Sequence, residues 1–93
     1  MMNLLIIYDI RDPKRLTRIA KIMIDYGIRV QKSVFEASLD NKSLNRLRRR
    51  VKAVMEEEDY VVFFTICERD WQKKIKYGPA NFVEPEEKPF LIL

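Results

Sequence analysis

The chain has 93 residues, with 18 Lys and Arg against 14 Asp and Glu, no histidine and one cysteine. That length suits one domain, residues 1–93, and is short for two; an apolar fraction of 47% excludes a disordered chain, and the lack of histidine excludes imidazole as a base or metal ligand. No apolar run approaches the ~18 residues of a membrane span, and Met1-Met2-Asn3 lacks the basic start of a secretory signal, so a cytoplasmic protein without a membrane partner is expected.

Asn3 to Ile10 is a continuous apolar run rich in branched residues, as in a central strand buried on both faces. Asp12-Pro13 then starts a helix, with Asp as the cap and Pro at the first position. Leu16, Ile19, Ala20 and Met23 recur at helical spacing as its inner stripe. Lys14, Arg18 and Lys21 fall on the opposite side with Arg15 beside them, and Gly27 is placed to close the helix. Ile28 to Leu39 is strand-like, but its alternation slips phase near Gln31-Lys32-Ser33. Such a slip means a bulge, a kink or a tight turn, so two short strands are expected there.

Asp40-Asn41 offers caps for a second helix over Lys42 to Glu56, with Leu44, Leu47, Val51 and Val54 facing inward. Arg46, Arg48, Arg49, Arg50 and Lys52 cover its remainder. Tyr60 to Cys67 is another apolar strand, and Cys67 at its end is expected to be a buried small hydrophobe. A charged stretch, a Gly78-Pro79 break, a short Asn81-Phe82-Val83 segment and the tail Lys88-Pro89-Phe90-Leu91-Ile92-Leu93 follow. The order β-α-β-β-α-β is the ferredoxin-like pattern, an α+β fold with an antiparallel sheet, both helices on one face and an extra strand at the C-terminal end. The other face of the sheet must be covered by something.

Charge is unevenly shared: residues 1–55 carry 13 Lys and Arg against 5 Asp and Glu, and residues 56–93 carry 5 against 9. The basic half is the natural place for a polyanion.

Tyr8-Asp9 at the end of the first strand, the basic helix with Arg15 and Arg18, and the late apolar strand ending in Cys67 form a pattern. So does the segment Tyr26-Gly27-Ile28-Arg29-Val30-Gln31-Lys32-Ser33-Val34-Phe35-Glu36. In order and spacing these resemble the CRISPR-associated Cas-two family over nearly the whole chain; the central segment is similar to that family's Gly-x-Arg-Val-Gln-x-Ser-Val-Phe-Glu signature. The resemblance implies a symmetric homodimer in which two sheets pack face to face and the C-terminal segment, residues 80–93, pairs with the partner's sheet. An apolar tail such as Phe90-Leu91-Ile92-Leu93 agrees with strand addition to another chain.

A carboxylate following apolar strand residues has a partner or a purpose, and a bracing role in the loop before the helix is one reading of Asp9. The resemblance implies another: Asp9 faces its twin across the dimer axis. Converging carboxylates repel unless a cation lies between them. Mg²⁺, with Mn²⁺ as a substitute, suits oxygen ligands and phosphate and activates water and the phosphoryl group for hydrolysis. Tyr8 would then orient substrate or water, Phe35 would stack or pack nearby, and Arg15, Arg18 and Arg29, with Lys14 and Lys21, would hold flanking phosphates of DNA or RNA.

The family resemblance further implies a dimer that bridges two dimers of the Cas-one integrase during spacer acquisition; Glu84, Glu86, Glu87 and the apolar tail are candidates for the partner contact. A metal-dependent endonuclease, an adaptor that only scaffolds the integrase, and a toxin-like ribonuclease outside CRISPR are the three readings this leaves.

Overall fold

Alternation along the first strand sets the layers. In β1 (Met2–Asp9) the side chains of Leu4, Ile6 and Tyr8 are buried, while Leu5 and Ile7 between them are half-buried. The computed structural model describes residues 1–75; the expected C-terminal strand at 80–93, Asn81-Phe82-Val83, and the Glu84, Glu86 and Glu87 contact lie outside them. After β1 come α1 (Pro13–Ile24), β2 (Gly27–Gln31), β3 (Val34–Leu39), α2 (Asn41–Val54), β4 (Tyr60–Ile66) and a short α3 (Glu68–Gln72). The sheet order is β2-β3-β1-β4, and every neighbouring pair is antiparallel. This is the ferredoxin-like arrangement that the order of apolar segments implies. No helix among the described residues is long and apolar enough to cross a membrane.

Both long helices start as their sequences dictate. Asp12 Oδ2 accepts from the Arg15 N–H at 2.9 Å and Asp40 Oδ1 accepts from the Ser43 N–H at 2.8 Å, each satisfying a donor that the first turn leaves without an internal partner. Their apolar stripes meet over β1 and β3: Leu4, Ile6, Ile19, Met23, Phe35, Leu47 and Val51 are at most 1% exposed. Burial of each such side chain stabilises the fold by about 1.5–3 kcal/mol. The helices therefore cover one face of the sheet.

Three local expectations are corrected. Gly27 does not close α1, whose last turn ends on Asp25 in right-handed helical geometry. It opens β2 instead, where a Cβ would stand 2.3 Å from the Glu36 carbonyl oxygen. The residue is glycine because β3 passes too close for anything larger. Cys67 is exposed, since β4 ends at Ile66 and Cys67 turns the chain into α3. Nor is β1 fully buried on both faces, because the side away from α1 and α2 is only half covered.

The phase slip in the β2–β3 segment resolves into two features: a turn at Lys32-Ser33 and a register shift between Arg29 and Gln31. The extra residue in one strand moves Val30 out of the pairing. Helix α3 had no periodic signal in its five residues. It is tied back to β1 by Asn3, whose Nδ2 donates to Glu68 Oε1 at 2.9 Å, and to β3 by Lys74, which lies 3.4 Å from the Trp71 ring centroid and 3.6 Å from Glu36 Oε1.

Candidate functional site at the end of the first strand

Asp9 is the last residue of β1 and pairs across the strands with Tyr60 of β4. Its side chain is exposed, and among the described residues no hydrogen bond or salt bridge engages it. Strand alternation puts it on the sheet face away from the helices, the face that also carries Leu5, Ile7, Val34, Val62, Phe64 and Ile66 through the direct pairs Leu5 with Phe64, Ile7 with Val62, Ile7 with Val34 and Asn3 with Ile66. Phe64 there is 47% exposed.

Tyr8 points the other way. It is 3% exposed, its ring lies on Phe35 with centroids 6.2 Å apart and planes at 24°, and its hydroxyl donates to the Lys32 carbonyl at 3.1 Å. The same carbonyl accepts from Arg29 Nε at 3.3 Å and Nη2 at 3.0 Å, and the Arg29 guanidinium carbon sits 5.7 Å from the Phe35 centroid. Burial pushes the Tyr8 phenol up from its ordinary range, with Arg29 pulling against it. At neutral pH it is a neutral donor holding the β2–β3 turn. Adjacent strand positions thus separate Tyr8 from Asp9: the structure does not bring the two expected catalytic groups onto one face. Phe35, 0% exposed, is core under Tyr8 and Arg29.

The cations divide as well. Lys14, Arg18 and Lys21 are exposed on α1 at spacings of four and three, one helical face. Lys21 and Arg29 converge, with Lys32 and Ser33, on an open groove of about 430 Å³ floored by Leu16 and Ala20. Arg15 leaves this row. Its Nε lies 2.7 Å from Asp59 Oδ2, and its Nη2 is 3.1 Å from Asp59 Oδ1 and 3.2 Å from Glu58 Oε2. The guanidinium faces carboxylates that bolt α1 to the α2–β4 loop, so it is not set among the phosphate-facing cations expected from the sequence.

Asp59 is the anchor that sequence reasoning missed. Its side chain is fully covered and it also accepts from the Arg11 N–H at 3.0 Å and the Glu56 N–H at 2.9 Å. Arg15, first among these, holds its carboxyl well below the usual carboxylate range. The only sequence signal was an acidic run, Glu56 to Asp59, directly after a basic helix.

Among the described residues no group of three or more His, Cys, Asp or Glu side chains could hold an ion. Asp9 supplies one hard oxygen donor group, exposed and uncommitted, which fits Mg²⁺ or Mn²⁺ when a second such group meets it.

The family model described as CRISPR associated protein Cas2 matches residues 2–74. A CRISPR-associated endoribonuclease Cas2 from Nitratidesulfovibrio vulgaris is 35% identical over 98% of this chain and 94% of the relative. The structure of Streptococcus pyogenes Cas2 is similar with 33% identity, a TM-score of 0.71, and coverage of 81% of this chain and 96% of that one. A chain of the structure named Partial Cas6-RT-Cas1--Cas2 complex is 25% identical with a TM-score of 0.72, covering 82% and 84%. With the sheet order, the Gly27–Glu36 segment and the strand-end aspartate all in place, this chain belongs to the CRISPR associated protein Cas2 family.

Proposed function

We propose that this protein is a homodimeric, divalent-metal-dependent endonuclease of CRISPR spacer acquisition that also bridges Cas1 integrase subunits. The carrying observation is Asp9: an exposed carboxylate with no partner among the described residues, on the rim of a sheet face that carries Leu5, Ile7, Val34, Val62 and the 47% exposed Phe64. The relative's name, endoribonuclease, supports the reaction class, and a structural neighbour from a complex with Cas1 supports the bridging role.

In this reading two sheets pack through Leu5, Ile7, Val34, Val62 and Phe64, and the two Asp9 carboxylates converge on Mg²⁺ or Mn²⁺. The ion, when bound, supplies Lewis-acid activation of water and of the phosphodiester. The chain's own residues do the positioning. Asp9 holds the charge, while Lys14, Arg18 and Lys21 on α1 and Arg29 at the groove draw in the sugar–phosphate backbone of RNA or DNA. Tyr8 acts through the turn: its hydroxyl and Arg29 fix the Lys32 carbonyl, which sets where Arg29 and Lys32 present their charges.

The adaptor reading, in which the dimer only holds nucleic acid for the integrase, is favoured by one feature: a single available carboxylate per chain near the strand end, with no third ligand grouped beside it among the described residues. Asp9→Ala separates the two. Mg²⁺-dependent cleavage of single-stranded RNA or duplex DNA is expected to fall by about 10²-fold or more, the loss of several kcal/mol of charge stabilisation, with spacer integration retained. Cleavage undiminished in the variant would leave the adaptor as the function.

A further inference from the structure

Asp9 has a cross-strand neighbour that the reading above leaves unused. Tyr60 opens β4 and pairs directly with Asp9, so the two side chains leave the sheet on the same face, about 4.5–5.5 Å apart at Cβ. The Tyr60 side chain is 57% exposed, more than any other aromatic side chain among the described residues. No hydrogen bond, ring contact or cation–π contact engages it there. Four of the others are occupied: Tyr8 and Phe35 stack on one another, Arg50 lies over Tyr26 and Lys74 lies over Trp71.

A single exposed aromatic residue carries little meaning by itself. The mounting of Tyr60 sets it apart. Asp59 precedes it, and the fully covered Asp59 carboxylate accepts from the Arg15 guanidinium, from the Arg11 N–H at 3.0 Å and from the Glu56 N–H at 2.9 Å. Arg11 lies two residues after Asp9. One buried anion thus pins the chain leaving Asp9 to the chain entering Tyr60, and the carboxylate and the ring keep a fixed spacing. A tyrosine has two side-chain torsions and is ordered at low entropic cost, and a preset mount lowers that cost further. Tyr60 also stands at the end of the sheet face, beside a charge, whereas the apolar Val62 and Phe64 of the same strand lie further in.

We propose that Tyr60 contacts substrate: its ring stacks on an unpaired nucleobase of a nucleotide next to the phosphodiester held at Asp9. Every base has a π-face, so the contact tolerates any sequence. A base inside a continuous duplex has both faces covered by its neighbours, so the ring takes a base only from a strand end, a loop or a single strand. Tyr60 then meets the half of the nucleotide that Asp9 and the cations of α1 leave alone. The inference rests on the nuclease reading above and gives that site its contact with the base.

The test uses the full chain, with EDTA present so that no strand is cut, and two probes of equal length and charge: a single-stranded DNA of mixed sequence and the same sugar–phosphate strand without bases. The wild type is expected to bind the strand with bases about 5- to 150-fold more tightly, the range that one stacked base supplies. In Tyr60→Leu the preference is expected to fall by this factor, and in Tyr60→Phe to persist, because the ring and not the hydroxyl makes the contact. Sedimentation is expected to give Tyr60→Leu the wild-type mass. With Mg²⁺ and single-stranded RNA, kcat/KM of Tyr60→Leu is expected to fall by the same factor through KM, with kcat near that of wild type, as for a contact made equally in the ground and transition states. A base preference unchanged in Tyr60→Leu overturns the proposal, as does an equal loss in Tyr60→Phe, or a loss that accompanies dissociation of the protein into protomers. An undiminished kcat/KM overturns it too, because the stack then lies away from Asp9. The two readings fail separately. Cleavage that depends on Asp9, beside a base preference indifferent to Tyr60, removes this contact alone. A base preference carried by Tyr60 in a chain that cuts nothing removes the nuclease and leaves Tyr60 as the base contact of an adaptor.

Discussion

Three residues at the end of β1 and beyond it show how one-residue steps decide roles. Tyr8 and Asp9 are neighbours in sequence and opposite in space, because a strand turns successive side chains to opposite faces. Tyr8→Phe is therefore expected to lower stability by about 1 kcal/mol, the worth of one hydrogen bond, while changing the cleavage rate far less than Asp9→Ala; chemical denaturation and a cleavage assay on the same preparation check this. A rate loss equal to that of Asp9→Ala would restore Tyr8 to the chemistry. Asp59 governs acid behaviour. Its folded-state carboxyl titrates well below the ~3.9 of an unfolded aspartate, so its contribution is fully present above about pH 5 and is lost as pH falls through the acid range toward its folded value. Urea midpoints followed from pH 6 down to pH 3 are expected to drop in the wild type, with a smaller drop in Asp59→Asn. Equal drops would show that another group carries the acid sensitivity.

At the scale of elements, the β2–β3 hairpin combines its strand pairing with one close approach and one crowded carbonyl. Gly27→Ala puts a methyl group 2.3 Å from the Glu36 carbonyl oxygen, a backbone atom that cannot move without breaking the pairing. A destabilisation of about 1–3 kcal/mol is expected, read as a shift in the denaturation midpoint; an unchanged midpoint would mean the strands separate freely there. What could be read from the chain follows the same lines. The helix starts were legible because Asp12 and Asp40 each precede an apolar stripe of helical period, and the two short strands because a phase slip marks a bulge or a turn, and both occur there. Gly27 was misread, since a glycine after a helix is usually a cap and only the cross-strand partner reveals the closer constraint. Helix α3 was invisible because five residues, three of them charged, give no period. Arg15 looked like the rest of its basic helix, since its partners Glu58 and Asp59 lie more than forty residues on and only the fold brings them together. Of the site, Asp9 was legible as a charge closing an apolar strand. The orientation of Tyr8 was implicit in strand alternation but was not used.

For the whole molecule, the two faces of the sheet have different fates. One is sealed by α1 and α2, whose outer surfaces are free of carboxylates. The other leaves Phe64 47% exposed beside half-buried Leu5, Ile7, Val34 and Val62, a patch of the sort that marks an interface. Phe64→Glu is expected to convert a dimer into a protomer of 11.2 kDa in sedimentation, because a charge facing its own twin across a two-fold axis is repelled. A variant that keeps the wild-type mass would move the interface elsewhere. The central claim is narrower: two Asp9 side chains form one metal site. Titration with Mn²⁺, followed by its electron paramagnetic resonance signal, is expected to give one bound ion for every two chains, with binding lost in Asp9→Ala. One ion per chain, or binding that survives the substitution, would contradict the shared site.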